Sequence, residues 1–314
     1  MAYSGVAAPR KIFIGDIHGQ HDKLAALLAE LHTRRLMDNS TLIFIGDLID
    51  NHPGEAINHL AVLAQVKQLV DSGQGICLMG NHEFNAVGWA MRHPETGQPL
   101  RAHSEHNRRQ HQAFLQQLAE GSPEHMGWID WFRTLPLFMD FGDIRAVHAC
   151  WDANAIESLR PWLDHHNRLK PAYWAHAFDK HHALFHLLER VLKGPEIRLP
   201  AGYSFVDKTG TERRNIRARW WCQDAVTYRQ AAQVQPAMVN NIPDLPLAQP
   251  AGTPPDVPVV IGHYTLHGTP QLLSDSVICV DYNAAKAGHP LVAWIYDSNH
   301  PAMTAQGFIS AGGG

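Results

Sequence analysis

The chain has 314 residues, 45% of them hydrophobic, enough to bury a large core as one domain or as a domain carrying an insertion. Its formal net charge of −4, with Lys and Arg scattered, leaves no basic footprint for stable nucleic-acid binding. Residues 1–10, MAYSGVAAPR, lack a charged start followed by an apolar segment, and no apolar run reaches the roughly 18 residues of a membrane span, so the expectation is a cytoplasmic protein without membrane contact.

Taken in chain order, the apolar run Lys11-Ile12-Phe13-Ile14 predicts a strand buried on both faces. Leu24, Leu27, Leu28 and Leu31 recur at helical spacing, and Thr41–Ile45 predicts a second strand. Ile57, Leu60, Ala64 and Val70 predict a second helix, with Gly73 as its stop, before a third strand over Ile76–Met79. "HSEHNRRQHQAF", residues 103–114, reads as the start of a helix with exposed polar residues, open to a substrate-facing role through its place soon after Gly-Asn-His-Glu. A further strand, Ile144–Val147, follows the Trp-rich "WIDWFRTLPLF". Cys77, Cys150, Cys222 and Cys279 are far apart and read as buried thiols of a reducing compartment.

The composition changes at about residue 151. In "HAFDKHHALFHLLE", His182 and His186 have the spacing of a metal pair on a helix, but the plainer reading is the polar side of a helix whose Leu184, Leu187, Leu188 and Val191 face inward. "AGYSFVDKTGTERRNIRARWW" reads as a hairpin turning at Thr209-Gly210, and the Pro-dense stretch that follows as an irregular surface loop. Val257–Ile261 returns to strand, and "VICVDY" and "LVAWIYD" read as a closing strand pair. The alternation of strand and helix predicts a layered α/β fold, with residues 1–150 and 256–314 as the core and 151–255 as an inserted cap.

Each predicted core strand ends in residues that ligate cations. Asp16 and His18, two apart, point to one side of an extended chain. Asp47 and Asp50 follow the second strand, Asn81 and His82 the third, His148 the fourth and His263 the fifth. In an open α/β sheet ligands collect beyond the carboxyl ends of the strands. Carboxylate, imidazole and amide donors without thiolate favour manganese, with iron or zinc as alternatives, over a thiolate structural zinc site.

The ordered set Asp16-x-His18-Gly19, Gly46-Asp47-x-x-Asp50, Gly80-Asn81-His82-Glu83, a strand-end His148 and Gly262-His263 resembles the calcineurin-like metallophosphoesterase superfamily. Within it the set is most similar to phosphoprotein phosphatases and symmetrical diadenosine tetraphosphatases. The resemblance implies a layered mixed β-sheet core flanked by helices, a four-layer sandwich. It implies Asp16, His18 and Asp47 around one divalent cation, and Asp47, Asn81, His148 and His263 around a second. It also implies a metal-bridging hydroxide attacking phosphorus, His82 protonating the departing oxygen and Asp50 orienting His82, with Glu83 as structural support.

Where phosphoprotein phosphatases carry Asp-Arg-Gly, this chain reads Asp50-Asn51-His52-Pro53, so the arginine that would grip phosphate is Asn51. Asn51 is kept as a substrate contact, joined by Arg217 and Arg219, which strand alternation puts on one face. His267 stands four residues after His263, where many superfamily members place a histidine two residues on, and it is left out of the metal set; Lys286 is read as solvent-facing. The implied partner is a phosphorylated substrate, either a phosphoprotein or a nucleotide. For a nucleotide, Tyr203, Trp220 and Trp221 would stack a base. A non-catalytic metal-dependent scaffold would be signalled by loss of a ligand or of His82, and none is missing.

Overall fold

A computed structural model of the chain describes residues 9–51, 56–206 and 210–312. His52, Pro53 and Thr209 lie outside the described residues. The chain opens with β1 (Arg10–Ile14), α1 (His21–Thr33), β2 (Ser40–Phe44), α2 (His59–Asp71) and β3 (Gly75–Cys77), and these three strands run parallel. Next come α3 (Asn81–Ala90), α4 (Glu105–Leu115), α5 (Pro123–Phe132), β4 (Phe138–Asp140), β5 (Arg145–Val147) and α6 (Ala153–Leu159). They are followed by α7 (Trp174–Ala177), α8 (Ala183–Lys193), β6 (Glu196–Arg198), β7 (Phe205–Val206), β8 (Glu212–Arg213), β9 (Asn215–Arg217) and α9 (Tyr228–Ala231). The strands β10 (Val259–Ile261), β11 (Val277–Cys279), β12 (Leu291–Asp297) and β13 (Phe308–Ala311) end the chain.

The core strands form two sheets, ordered β13-β12-β1-β2-β3 and β11-β10-β5-β4. Because side chains alternate along a strand, each sheet has two faces, and in this chain both are apolar. Phe13, Ile43 and Ile45 of the first sheet meet Ala146, Val260 and Ile278 of the second in a core between the sheets. The intervening residues Ile12, Ile14, Leu42 and Phe44 face the helices, in one core with Leu24, Leu27 and Leu31 of α1. On the far side Val147, Val259, Ile261 and Val277 belong to that same helix-covered cluster, together with Leu184, Leu188 and Val191 of α8. The result is the mixed, helix-flanked sandwich that the sequence implied.

Two sequence expectations are corrected. "VICVDY" and "LVAWIYD" do not pair: β11 lies parallel to β10 in the second sheet, whereas β12 runs antiparallel to β1 in the first and pairs with β13, a strand the sequence reading did not contain. Helix α2 forms and ends near Gly73 (φ 75°), but its buried stripe is His59, Val62, Leu63 and Val66, not Leu60, Ala64 and Val70. The helix starts at His59, so Ile57 lies outside it, and the packed stripe is set by the sheet beneath.

Within 151–255, α6 to α8 contribute to the main core through Leu159, Trp174, Leu184 and Leu188. Farther on, Leu199, Ile216, Ala232 and Ile242 form a small cluster of their own. The β7/β8 pairing matches the expected hairpin, with Gly210 at φ 80°. As the sequence suggested, α8 turns Leu184, Leu188, Val191 and Leu192 inward, and His182 caps its start by accepting from the Leu184 amide.

Candidate active site

The loops that leave the strands turn sharply, and they do so at the residues that carry the chemistry. His18, Asp47, Asp50 and His263 have φ of 49°, 53°, 65° and 69°. Side chains rarely adopt this left-handed region, and it persists only where surroundings hold it. The loops also approach too closely for a side chain at two glycines. A Cβ on Gly80 would come within 2.3 Å of the Asp47 amide nitrogen, and one on Gly262 within 2.1 Å of an Asp16 carboxylate oxygen.

Glu83 holds two of these loops together. Its fully buried carboxylate accepts from the amides of Asp47 at 2.8 Å, Leu48 at 2.8 Å, Ile49 at 3.3 Å and Gly80 at 3.1 Å. Burial and the Asp47 charge raise its pKa to about 7 against those bonds. In Gly80-Asn81-His82-Glu83 the carboxylate therefore fixes the Asp47 loop against the start of α3.

Asp47 is the hub. Its Oδ2 lies 3.3 Å from His148 Nε2 and 3.9 Å from Nε2 of both His18 and His82. His18 Nδ1 donates to the carbonyls of Ile49 and Asp50 at 2.9 and 3.0 Å, and His148 Nδ1 donates to that of Ile45 at 2.7 Å. Carbonyl bonds of this kind fix the tautomer, so each ring turns its Nε2 lone pair toward Asp47. Asn81 Oδ1 stands 3.1 Å from His148 Nε2. Three acceptors, Asp47 Oδ2, Asn81 Oδ1 and His148 Nε2, thus converge, an arrangement that suits a cation between them.

Further buried atoms point the same way. Asp16 Oδ2 accepts from the His263 amide at 3.0 Å, while Asp16 Oδ1 and His263 Nε2 are buried without a hydrogen-bond partner among the described residues. Burial, with Asp281 and Asp47 close by, raises the Asp16 pKa well above the usual carboxylate range. Burial and the Arg217 guanidinium push His263 well below its ordinary value, keeping its ring neutral. Among the described residues, two groups have ligand atoms all within 4.8 Å of one another: His18, Asp47 and His82, and Asp47, His148 and His263. The donors fit divalent cations, and Asp47 belongs to both groups.

His82 lies on the open side. Its side chain is 25% exposed where that of His148 is 0%. Its backbone amide donates to Asp47 Oδ1 at 3.0 Å, and its Nδ1 meets Asp50 Oδ2 at 2.8 Å. Burial opposes the charged ring, but Asp47 and Asp50 outweigh it and push its pKa up to about 9. The other oxygen of Asp50, Oδ1, takes a bond of 2.9 Å from Nδ1 of His111, a residue 1% exposed. The sequence reading of 103–114 as an exposed polar stretch missed His111. The signal was there, since His111, Phe114 and Leu118 recur at helical spacing and all three are buried.

The other expected site residues fall as follows. Asn51 sits at the site, but its amide nitrogen donates to the carbonyls of His18 at 3.1 Å and Ala285 at 3.0 Å. Along β9 and just beyond it, Ile216, Ala218 and Trp220 are buried while Arg217 and Arg219 are half-buried, and Arg217 is close enough to His263 to depress its pKa. Trp220 and Trp221 are 1% and 3% exposed, and the Trp220 indole donates to Ala149 O and Tyr264 Oη. The two tryptophans therefore pack the core and offer no face to a base, and only Tyr203, 47% exposed, keeps one free. His267 and Lys286 are exposed.

A model of the calcineurin-like phosphoesterase family matches residues 9–208. The chain belongs to the calcineurin-like phosphoesterase family. It is accordingly a hydrolase of a metal-dependent family, and the His and Asp groups around Asp47 form its candidate metal site. A symmetrical bis(5'-nucleosyl)-tetraphosphatase of Klebsiella pneumoniae subsp. pneumoniae is 40% identical over 74 residues, which cover 24% of this chain and 23% of that protein. Two solved structures align with this chain at low identity. A protein serine/threonine phosphatase from Saccharomyces cerevisiae is 12% identical, covers 98% of this chain and 80% of its own, and has a TM-score of 0.48. A cold-active protein-tyrosine phosphatase of a psychrophilic Shewanella species is 17% identical, covers 96% and 80%, and has a TM-score of 0.47. No helix among the described residues is long and apolar enough to cross a membrane.

Proposed function

We propose that this phosphoesterase hydrolyses phosphomonoesters, of the phosphoserine and phosphothreonine kind, at a dinuclear centre. Asp16, His18 and Asp47 would hold one cation, and Asp47, Asn81, His148 and His263 the other, with Asp47 bridging. The observation that carries the reading is the convergence on Asp47 of imidazole nitrogens from His18 and His148, with His82 beside it on the open side. When bound, two divalent cations, manganese with iron or zinc as alternatives, would neutralise phosphate oxygens and acidify water.

The chain's own residues divide the remaining work. His82 donates a proton from Nε2 to the departing ester oxygen. Asp50 keeps its carboxylate on Nδ1 of that ring, which sets tautomer and direction. His82 suits donation more than ligation because its free nitrogen faces the accessible side while His148 is enclosed. Arg217, and Arg219 on the same face, would supply the forked phosphate contacts that Asn51 cannot make. In this reading residues 151–255 act as an inserted cap on a core of 1–150 and 256–314, and the cap chooses the substrate.

A second reading, hydrolysis of dinucleoside polyphosphates, is favoured by the 74-residue similarity to the Klebsiella tetraphosphatase and by the hollow that Arg198, exposed Tyr203 and Arg214 line. Phosphate release from p-nitrophenyl phosphate, a phosphoserine peptide and diadenosine tetraphosphate separates the two. With stripped protein given manganese, the first reading expects the peptide to be turned over far better than the dinucleotide. The reverse ranking selects the second reading, and silence on all three with two cations bound refutes both.

A further inference from the structure

We propose that His111 is a positioning residue for the reaction: by donating to the far oxygen of Asp50 it holds that carboxylate aimed at His82. The inference rests on the reading of His82 as the proton donor. It begins from an imbalance in how His111 is bonded. The ring is buried among aromatic side chains, 5.9 Å from Trp89 and 5.3 Å from Phe114. Its Nε2 has no hydrogen-bond partner among the described residues, and leaving a buried polar atom unpaired is costly. A leucine or phenylalanine would fill the same place without that cost. What the histidine gains is one bond, 2.9 Å from Nδ1 to Asp50 Oδ1.

That bond decides what Asp50 can do. A carboxylate held by His82 alone can rotate away from the ring it is meant to orient. With one oxygen on each histidine, at 2.8 and 2.9 Å, that rotation is closed. Asp50 itself is 2% exposed and its backbone is in the left-handed region, so the chain reaches this position only with support. The line His82, Asp50, His111 thus runs from the open side of the site into the core, and α4 supplies its inner end.

The test uses substrates that differ in their need for a proton. Phenyl phosphate releases a poor leaving group, of pKa about 10, and requires a donor. Dinitrophenyl phosphate releases a stable anion and does not. His111→Phe keeps the volume and removes the donor, whereas His111→Asn places an amide N–H near the position of Nδ1. On phenyl phosphate His111→Phe is expected to lose roughly 10–100-fold in kcat, with KM and bound metal unchanged, the range for removing a group that orients a reacting residue. On dinitrophenyl phosphate it should lose less than about threefold, and His111→Asn should recover most of the loss.

His82→Asn, measured in parallel, separates the failures. If its loss depends on the leaving group and that of His111→Phe does not, the inference is wrong and the reading of His82 stands. If neither loss depends on the leaving group, both fall. A second readout needs no turnover: in metal-free protein the His82 Nδ1 proton resonance should move in His111→Phe and return in His111→Asn. An unmoved resonance overturns the proposal.

Discussion

The strand-end loops and the 215–220 stretch both carry charged groups, and Arg217 is close enough to His263 to depress its pKa, but the two regions hold those groups differently. In the loops short-range geometry fixes the polar groups: Glu83 takes four amides, Asp50 takes two imidazoles, and Asp47 takes the His82 amide. In the 215–220 stretch the backbone is fixed by buried Ile216, Ala218 and Trp220, while Arg217 and Arg219 are half-buried. A site that must place cations needs the first kind of support. Groups that must follow a substrate's shape work with the second.

Breaking the hub should have the largest effect. Asp47→Asn removes the shared carboxylate, and metal content and turnover are expected to vanish together. A variant that retains both cations by elemental analysis would show that Asp47 does not bridge. His82→Asn should keep the metals and lose roughly 10²–10⁴-fold in kcat on substrates with poor leaving groups, and steady-state kinetics beside metal analysis checks it. Gly80→Ala tests the loop packing itself, because its Cβ would lie 2.3 Å from the Asp47 amide nitrogen and 2.6 Å from Glu83 Oε2. The loss should be about 1–3 kcal/mol of stability together with weaker metal binding, read by denaturant unfolding and metal titration.

The 215–220 stretch should answer more mildly. Arg217→Ala is expected to raise KM roughly tenfold with little change in kcat, because the arginine serves binding more than proton transfer. An unchanged KM would return it to a solvated face. The smallest effect concerns pH in metal-free protein. The His82 pKa is raised from 6.5 to about 9, so the stability it contributes is fully present below pH 6.5 and is lost as pH rises through 9. Thermal unfolding of the wild type should therefore weaken across that window more than that of His82→Asn.

The same contrast explains how much of the molecule could be read from its sequence. Asp16, His18, Asp47, Asn81, His148 and His263 were legible because each follows an apolar strand within a few residues, and a parallel sheet gathers strand ends. His111 was legible only as a buried helix position; its pairing with Asp50 was not, since Asp50 lies 61 residues away and only the packing of α4 joins them. The pairing of β12 with β1 was hidden for a related reason. Neighbouring strands in sequence pair only about two-thirds of the time, and periodicity carries no record of which sheet a strand joins. The turning of Asn51 toward two carbonyls left no local signal either, because one of them, that of Ala285, comes from the other end of the chain.

The central claim is that two cations share Asp47, and a manganese titration of chelator-stripped protein, followed by phosphate release and metal analysis together, tests it most directly. The account predicts two bound equivalents, with turnover rising steeply only as the second site fills. Full turnover at one equivalent, or turnover indifferent to the chelator, would contradict it.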